Sequence, residues 1–182
     1  MKNFIVALRS LLFFTLFLGF AYPLVVTGMG KLLYPYQANG EIIEKDGKTI
    51  GSELIGQVYQ DPKNFWGRTQ DVSNASPNSQ KNRDFVEARK KAGFQDEMLY
   101  ASGSGFDPHI RPASALLQIE RIVKANRVDQ LANADDIQAL TKLVQSQIEG
   151  PQFFLFGEPR VNVLKLNLKL KEWLGAKTKA TN

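Results

Sequence analysis

The chain has 182 residues, a formal net charge of +5, no cysteine and a single histidine. Disulfides, thiolate chemistry and any multi-histidine metal site are therefore excluded, and the length suits one membrane segment plus one compact domain. The hydrophobic content of 43% argues against wholesale disorder, and the basic residues are too scattered to suggest nucleic-acid binding.

The N-terminus carries the first strong signal. From Ser10 to Gly30 there are 21 residues without a charge, enough for a helix to cross a hydrocarbon core of ~30 Å. A cleaved signal peptide is the competing expectation, because Gly19-Phe20-Ala21 resembles a small-residue cleavage site. The apolar run continues past it through Leu24, Val25, Val26 and Met29, which favours a retained anchor. Lys2 and Arg9 place the N-terminus in the cytoplasm and the remainder of the chain outside it, in a single-pass protein of the cell membrane. Pro23 removes one backbone donor inside this span, so the freed carbonyl must be satisfied locally or by a partner. The organisation expected is an anchor over 1–33 and an extracytoplasmic domain over 34–182 with a polar C-terminal tail.

Beyond YPYQANG, a mixture of interface aromatics and turn formers, Asp46-Gly47 predicts a hairpin, with Gly51 and Gly56 marking bends or close backbone approach. Residues 61–82 read as a long loop in which Phe65 and Trp66 cover a core edge and Arg68 holds a carboxylate or carbonyl. Asn74-Ala75-Ser76 matches a glycan acceptor only in form. A short helix is predicted from Asp84 to a stop at Gly93.

The segment GSGFDPHIRP holds the histidine. Ser102, Gly103, Ser104 and Gly105 form a permissive loop, Phe106 is expected as an apolar plug, and Asp107-Pro108 starts a turn. Pro112 suits the first position of a helix running through ASALLQIERIVKANR, with Leu116, Ile119 and Val123 near one stripe and Leu117 alongside. Ser104, Asp107 and His109 are residue types used in acyl transfer. They lie within six positions of one another, however, whereas triads take their geometry from groups that the fold brings together. The expected role of His109 is to bond a carboxylate or backbone carbonyl and lock the loop, with Asp107 accepting backbone N–H groups.

A further helix follows, capped at Asn133 or Asp135, with Ile137, Leu140, Val144 and Ile148 on one face and a stop at Gly150-Pro151. After it, Leu164, Leu166, Leu168 and Leu170 alternate with Lys165, Asn167, Lys169 and Lys171, which predicts a strand with one buried and one wet face. The fold class expected is α+β: a single N-terminal transmembrane helix, then a small domain of about three helices packed on a small sheet.

Four segments together carry a resemblance: YPYQANG (34–40), GSELIGQ (51–57), ASGSGFDPHIRPASALLQIERI (101–122) and FGEPRVNVLKLNL (156–168). In this order they resemble the small KdpC component of the bacterial potassium-transporting Kdp ATPase. The resemblance implies a non-catalytic subunit that stabilises assembly and modulates ATP use, without a cofactor of its own. It also implies three protein partners: a channel-like potassium-binding subunit, a P-type ATPase subunit and a small single-span subunit. ATP, magnesium and potassium would be handled by these partners. Two corners are implied as structural or interface sites. One comprises Ser102, Gly103, Ser104, Gly105, Asp107, Pro108, His109 and Pro112; the other comprises Gly157, Glu158, Arg160 and Asn162. Glu158 and Arg160 would pair either with each other or with a large partner. Departures from the family pattern fall at GRTQ (67–70), SNASPNSQ (73–80) and Arg111. The alternatives of a different class are a membrane-anchored extracytoplasmic hydrolase and a ligand-binding sensor domain, for which only the aromatic loop around Trp66 offers a surface.

Overall fold

The computed structural model describes residues 2–45, 47–68, 76–126 and 133–181. Asp46, the Asn74-Ala75 part of the glycan-acceptor triplet, Thr69-Gln70 and 73–75 of the departing loop lie outside them. The chain forms two compact units, Met1–Ser52 and Glu53–Asn182.

In the first unit α1 (Lys2–Leu16) continues through a π turn (Phe17–Ala21) into α2 (Tyr22–Leu33). The π turn is the local answer to Pro23: the helix widens by one residue, and Tyr22 N–H donates to the Phe17 carbonyl, so the missing donor does not break the path. The result is one apolar helix from Lys2 to Leu33, mean hydropathy 2.2, none of whose most apolar window is buried by protein. Gly19-Phe20-Ala21 sits in its middle. A short α3 (Pro35–Ala38) leads to an antiparallel hairpin of β1 (Ile42–Lys45) and β2 (Lys48–Ser52), paired from Ile42↔Ser52 to Lys45↔Lys48 with an irregularity between Ile43 and Glu44. Gly47 supplies the positive φ (72°) that the tight turn requires, and Gly51 pairs with Ile43 beside the irregularity.

The second unit is helical with a small sheet. Its elements are α4 (Gln80–Lys91), a 3₁₀ turn (Asp96–Leu99), β3 (His109–Ile110), α5 (Pro112–Leu116), α6 (Ile119–Asn126), α7 (Ala134–Ser146), β4 (Ile148–Glu149), β5 (Arg160–Asn162) and α8 (Val163–Thr181). The sheet order is β3-β5-β4, antiparallel throughout. Local signals account for many boundaries. Ser79 Oγ accepts from Asn82 N–H at the start of α4, four residues before the predicted start, and Gly93 follows its end at φ 85°. Pro112 occupies the first turn of α5, and Asn133 Oδ1 accepts from Asp135 N–H at the start of α7.

The core joins Phe65, Ile110, Ala115, Ile119, Ile122, Leu140, Val144, Val161, Leu166 and Leu170. Three expectations are corrected here. The predicted helix after Pro112 breaks at Leu117–Gln118, where the Gln118 side chain turns to the Trp66 backbone, accepting from its N–H (2.8 Å) and donating to its carbonyl (3.1 Å). Ala115, Ile119, Ile122 and Val123 are consequently inside, and Leu116 and Leu117 are exposed. Ile148 lies in β4 rather than on α7, which ends at Ser146. Phe106 is half-exposed rather than a plug; its carbonyl, not its ring, makes the contact, accepting from Gly56 N–H at 2.7 Å.

The largest correction concerns residues 163–171, which form the start of α8 and not a strand. Val163, Leu166, Asn167 and Leu170 are buried at three- and four-residue spacing, and Trp173 and Leu174 extend the stripe. Leucines at every second position satisfy both periods; Asn167, read as wet, decides between them. It is 1% exposed and clamps the Phe65 backbone, accepting from its N–H (2.8 Å) and donating to its carbonyl (2.9 Å). The composition agrees, since Leu164–Glu172 has no β-branched residue and is rich in helix-forming Leu, Lys and Glu.

Candidate functional site

The two corners that the sequence marks separately meet through the sheet. Antiparallel pairing sets His109 opposite Asn162 and Ile110 opposite Val161, and Val163 N–H donates to the Pro108 carbonyl at 2.9 Å. Asn162 is buried and works on both sides of the junction. Its Oδ1 accepts from the N–H groups of Leu164 (3.1 Å) and Lys165 (3.2 Å), capping α8, while its Nδ2 donates to the Glu53 carbonyl at 2.8 Å.

The loop before β3 is bonded to itself. Ser102 is buried, its carbonyl accepts from Gly105 N–H (3.1 Å), and its Oγ lies 3.5 Å from Asp107 N. Gly105 stands at φ 76°, a conformation that excludes most side chains, and Ser104 Oγ accepts from Phe106 N–H at 3.1 Å. Gly103 has open space around it. Across from this loop, a Cβ on Gly56 would lie 2.8 Å from the Asp107 carbonyl oxygen, so only glycine permits the two backbones to approach.

Charges of alternating sign tie the corner together. Arg68 Nη1 lies 3.8 Å from Asp107 Oδ2, while Arg68 Nη2 donates to the Ala101 carbonyl at 3.1 Å. Asp107 Oδ1 accepts from His109 N–H at 2.9 Å and lies 3.3 Å from His109 Nδ1. On the far side of the ring, His109 Nε2 is 3.7 Å from Glu149 Oε2. Glu149 also takes Arg160 Nε (3.2 Å) and Lys165 Nζ (3.2 Å), and Lys165 reaches Glu53 at 2.8 Å. Hydrogen bonding to His109 holds the Asp107 carboxyl below its usual range, against an opposing effect of burial. Burial raises Glu149, but the hydrogen bonds from Arg160 and Lys165 outweigh it and leave the carboxyl below its ordinary value. The bond to Glu53 raises Lys165. Glu158 and Arg160 do not pair with each other: Arg160 is taken by Glu149, and exposed Glu158 by Arg111 at 3.3 Å. Arg111 also faces Glu97 at 3.8 Å, so this departure from the family pattern has carboxylate partners. Gly157 turns the chain before Glu158 at φ 92°.

Ser104, Asp107 and His109 are not arranged as a serine triad. In a serine triad the ring nitrogen remote from the aspartate faces the hydroxyl. Here that nitrogen faces Glu149, and Ser104 Oγ is engaged with Phe106 N–H. Among the described residues, no group of three or more histidine, aspartate or glutamate side chains is placed to hold a metal ion. Glu149, Lys165 and Glu53, which complete the network, escape sequence inspection: the first reads as the tail of a helix and the second as the wet face of a strand. Gly56 is the one such contact with a local signal, a glycine interrupting apolar residues.

The fold and the site define a single-span membrane protein whose small α+β domain presents an internally braced corner. A family model described as KdpC, the c chain of K+-transporting ATPase, matches residues 4–172. The potassium-transporting ATPase KdpC subunit of Caldanaerobacter subterraneus subsp. tengcongensis is 41% identical over 185 residues, covering 91% of this chain and 92% of that one. The KdpC subunit of Methylococcus capsulatus is 41% identical over 191 residues (93% and 97%), and that of Burkholderia ambifaria 43% over 174 (84% and 86%). The chain belongs to the KdpC family of potassium-transporting ATPase subunits. Its N-terminal helix is the single membrane span, and the domain that follows is extracytoplasmic.

Proposed function

We propose that this chain is a non-catalytic accessory subunit of a high-affinity, ATP-driven potassium uptake complex. It assembles with a channel-like potassium-binding subunit, a P-type ATPase subunit and a small single-span subunit. ATP, magnesium and potassium are bound by those partners; this chain stabilises their assembly and modulates ATP use by the P-type ATPase partner. The family relationship supports the complex. The observation that carries the accessory role is the corner itself: the side chains of Asp107, His109, Asn162 and Arg160 are all engaged internally, holding β3, β5 and α8 in register rather than awaiting a substrate.

A single helix cannot enclose an ion pathway, so transport requires other spans around it. Packing of the span against a large partner brings the tethered domain to the extracytoplasmic face at high effective concentration, which strengthens a second contact there. Residues 102–112 and 157–162 form the scaffold for that contact. The test is purification in mild detergent through a tag on this chain, followed by potassium-stimulated ATPase assay with and without it. Recovery of the large partners, with loss of complex yield in His109→Ala and Arg160→Ala, is expected. Recovery of this chain alone, from cells that express intact complexes, counts against assembly. Unchanged yield, potassium affinity and turnover after its removal rejects the accessory role.

A further inference from the structure

The loop between β4 and β5 ends in an apolar tip. Phe153 is 84% exposed, Phe154 96%, Leu155 81% and Phe156 67%, with no charge among them. Phe153 and Phe154 both stand at positive φ (51° and 62°), a conformation costly for large side chains, so the chain sustains strain here to present consecutive rings outward. We propose that this tip inserts into the interfacial region of the bilayer that holds the N-terminal span, as a second membrane contact of the extracytoplasmic domain.

Three observations favour lipid as the occupant. The first is backbone chemistry. Gln152 N–H donates to the Phe156 carbonyl (2.8 Å) and Phe156 N–H to the Gln152 carbonyl (2.9 Å), while Leu155 N–H reaches Gln152 O (3.1 Å) and Phe154 N–H reaches Pro151 O (3.2 Å). With these four backbone donors bonded inside the turn, its entry into an apolar medium costs less than that of an open loop. The second is shape. Four consecutive side chains at a projecting turn are all exposed, which a deformable lipid surface accommodates together, whereas a protein groove reads spaced anchors on one face. The third is reach. Gly40 lies seven residues beyond Leu33 and therefore within about 25 Å of the end of the span even if fully extended. Ser52 Oγ donates to the Gly40 carbonyl at 2.6 Å, so the hairpin returns the chain to the same place before the domain begins. A domain of this size has a radius of gyration of only about 14 Å, so a tether of that length permits a peripheral loop to contact the lipid surface.

The absence of cysteine makes the test direct, because Phe154→Cys introduces the only thiol in the chain. The full-length variant carries an environment-sensitive fluorophore at this exposed position. It is reconstituted, domain outward, into phosphatidylethanolamine/phosphatidylglycerol vesicles and, separately, into the purified complex in the same lipids. Quenching by nitroxide-bearing acyl chains several times stronger than by a water-soluble quencher is expected in both preparations. It should be lost when Phe153, Leu155 and Phe156 are also changed to serine. Accessibility to the soluble quencher in either preparation overturns the proposal. So does a label in the complex shielded from both quenchers, which assigns the tip to a protein groove. Lipid quenching that persists in the serine variant also overturns it, because the tether rather than the tip would then set the depth.

Discussion

Asn167→Ala tests the packing on which the corner depends. The side chain is 1% exposed and makes two bonds to the Phe65 backbone, at 2.8 and 2.9 Å, across 102 positions of sequence. Truncation leaves the Phe65 N–H and C=O without these partners in the core. At ~1–3 kcal/mol for each unsatisfied group, the loss is about 2–6 kcal/mol. Lys169→Ala is the matched comparison: Lys169 is exposed on the same helix and pairs with Glu172 at 2.9 Å, an i,i+3 pair worth less than about 0.5 kcal/mol. The assay is urea unfolding of the full-length chain in mild detergent, followed by the fluorescence of Trp66, the neighbour of Phe65, and Trp173 on α8, both packed against the core. With a slope of ~2 kcal/mol per molar urea, the midpoint of Asn167→Ala falls by about 1–3 M and that of Lys169→Ala by less than about 0.3 M. A strand would put both residues on one wet face and give two small, similar shifts. That outcome, with an unchanged slope, would refute the helical assignment and the clamp together.

Other expectations follow from the same contacts. Gly56→Ala forces a Cβ to within 2.8 Å of the Asp107 carbonyl oxygen and should destabilise the domain by about 1–3 kcal/mol in the same assay, whereas Gly103→Ala, with open space around it, should be close to neutral. Asp107 and Glu149 titrate below their ordinary values of 3.8 and 4.5, so the folded domain binds fewer protons than the unfolded chain in acid. Their stabilisation is complete above those values and is lost as pH falls through the lower folded-state values; thermal midpoints across this range should show it, and Glu149→Gln should flatten the dependence. Lys165, raised above 10.5, has the opposite sign: its contribution is present below that value and disappears only in stronger alkali. Arg121→Lys removes a guanidinium stacked 3.8 Å from the Trp66 ring centroid and bonded to Asn64 O and Gln118 Oε1, and should cost about 1 kcal/mol with a change in Trp66 emission.

Features that depend on neighbours within a few positions could be read directly from the chain. The uncharged run from Ser10 to Gly30 dictates a membrane helix because a lone segment satisfies its own backbone in lipid only as a helix. Gly47 supplies the turn of the hairpin, Gly93 follows the end of α4, and Pro112 and Asn133 start helices, each through the conformation or hydrogen bond of one residue. The order of the four segments with a family likeness was also legible, and with it the family. The pairing of residues 109–110 with 161–162, the enclosure of His109 between Asp107 and Glu149, and the helical state of residues 163–171 emerge only in the folded chain. These outcomes turn on groups distant in the chain. Alternating leucines fit a strand or a helix equally well until the Phe65 backbone claims Asn167, and a glutamate just past the end of α7 has no evident partner until β5 brings Arg160 beside it. A buried polar group must find a hydrogen-bond partner, and only the folded chain specifies which one is within reach.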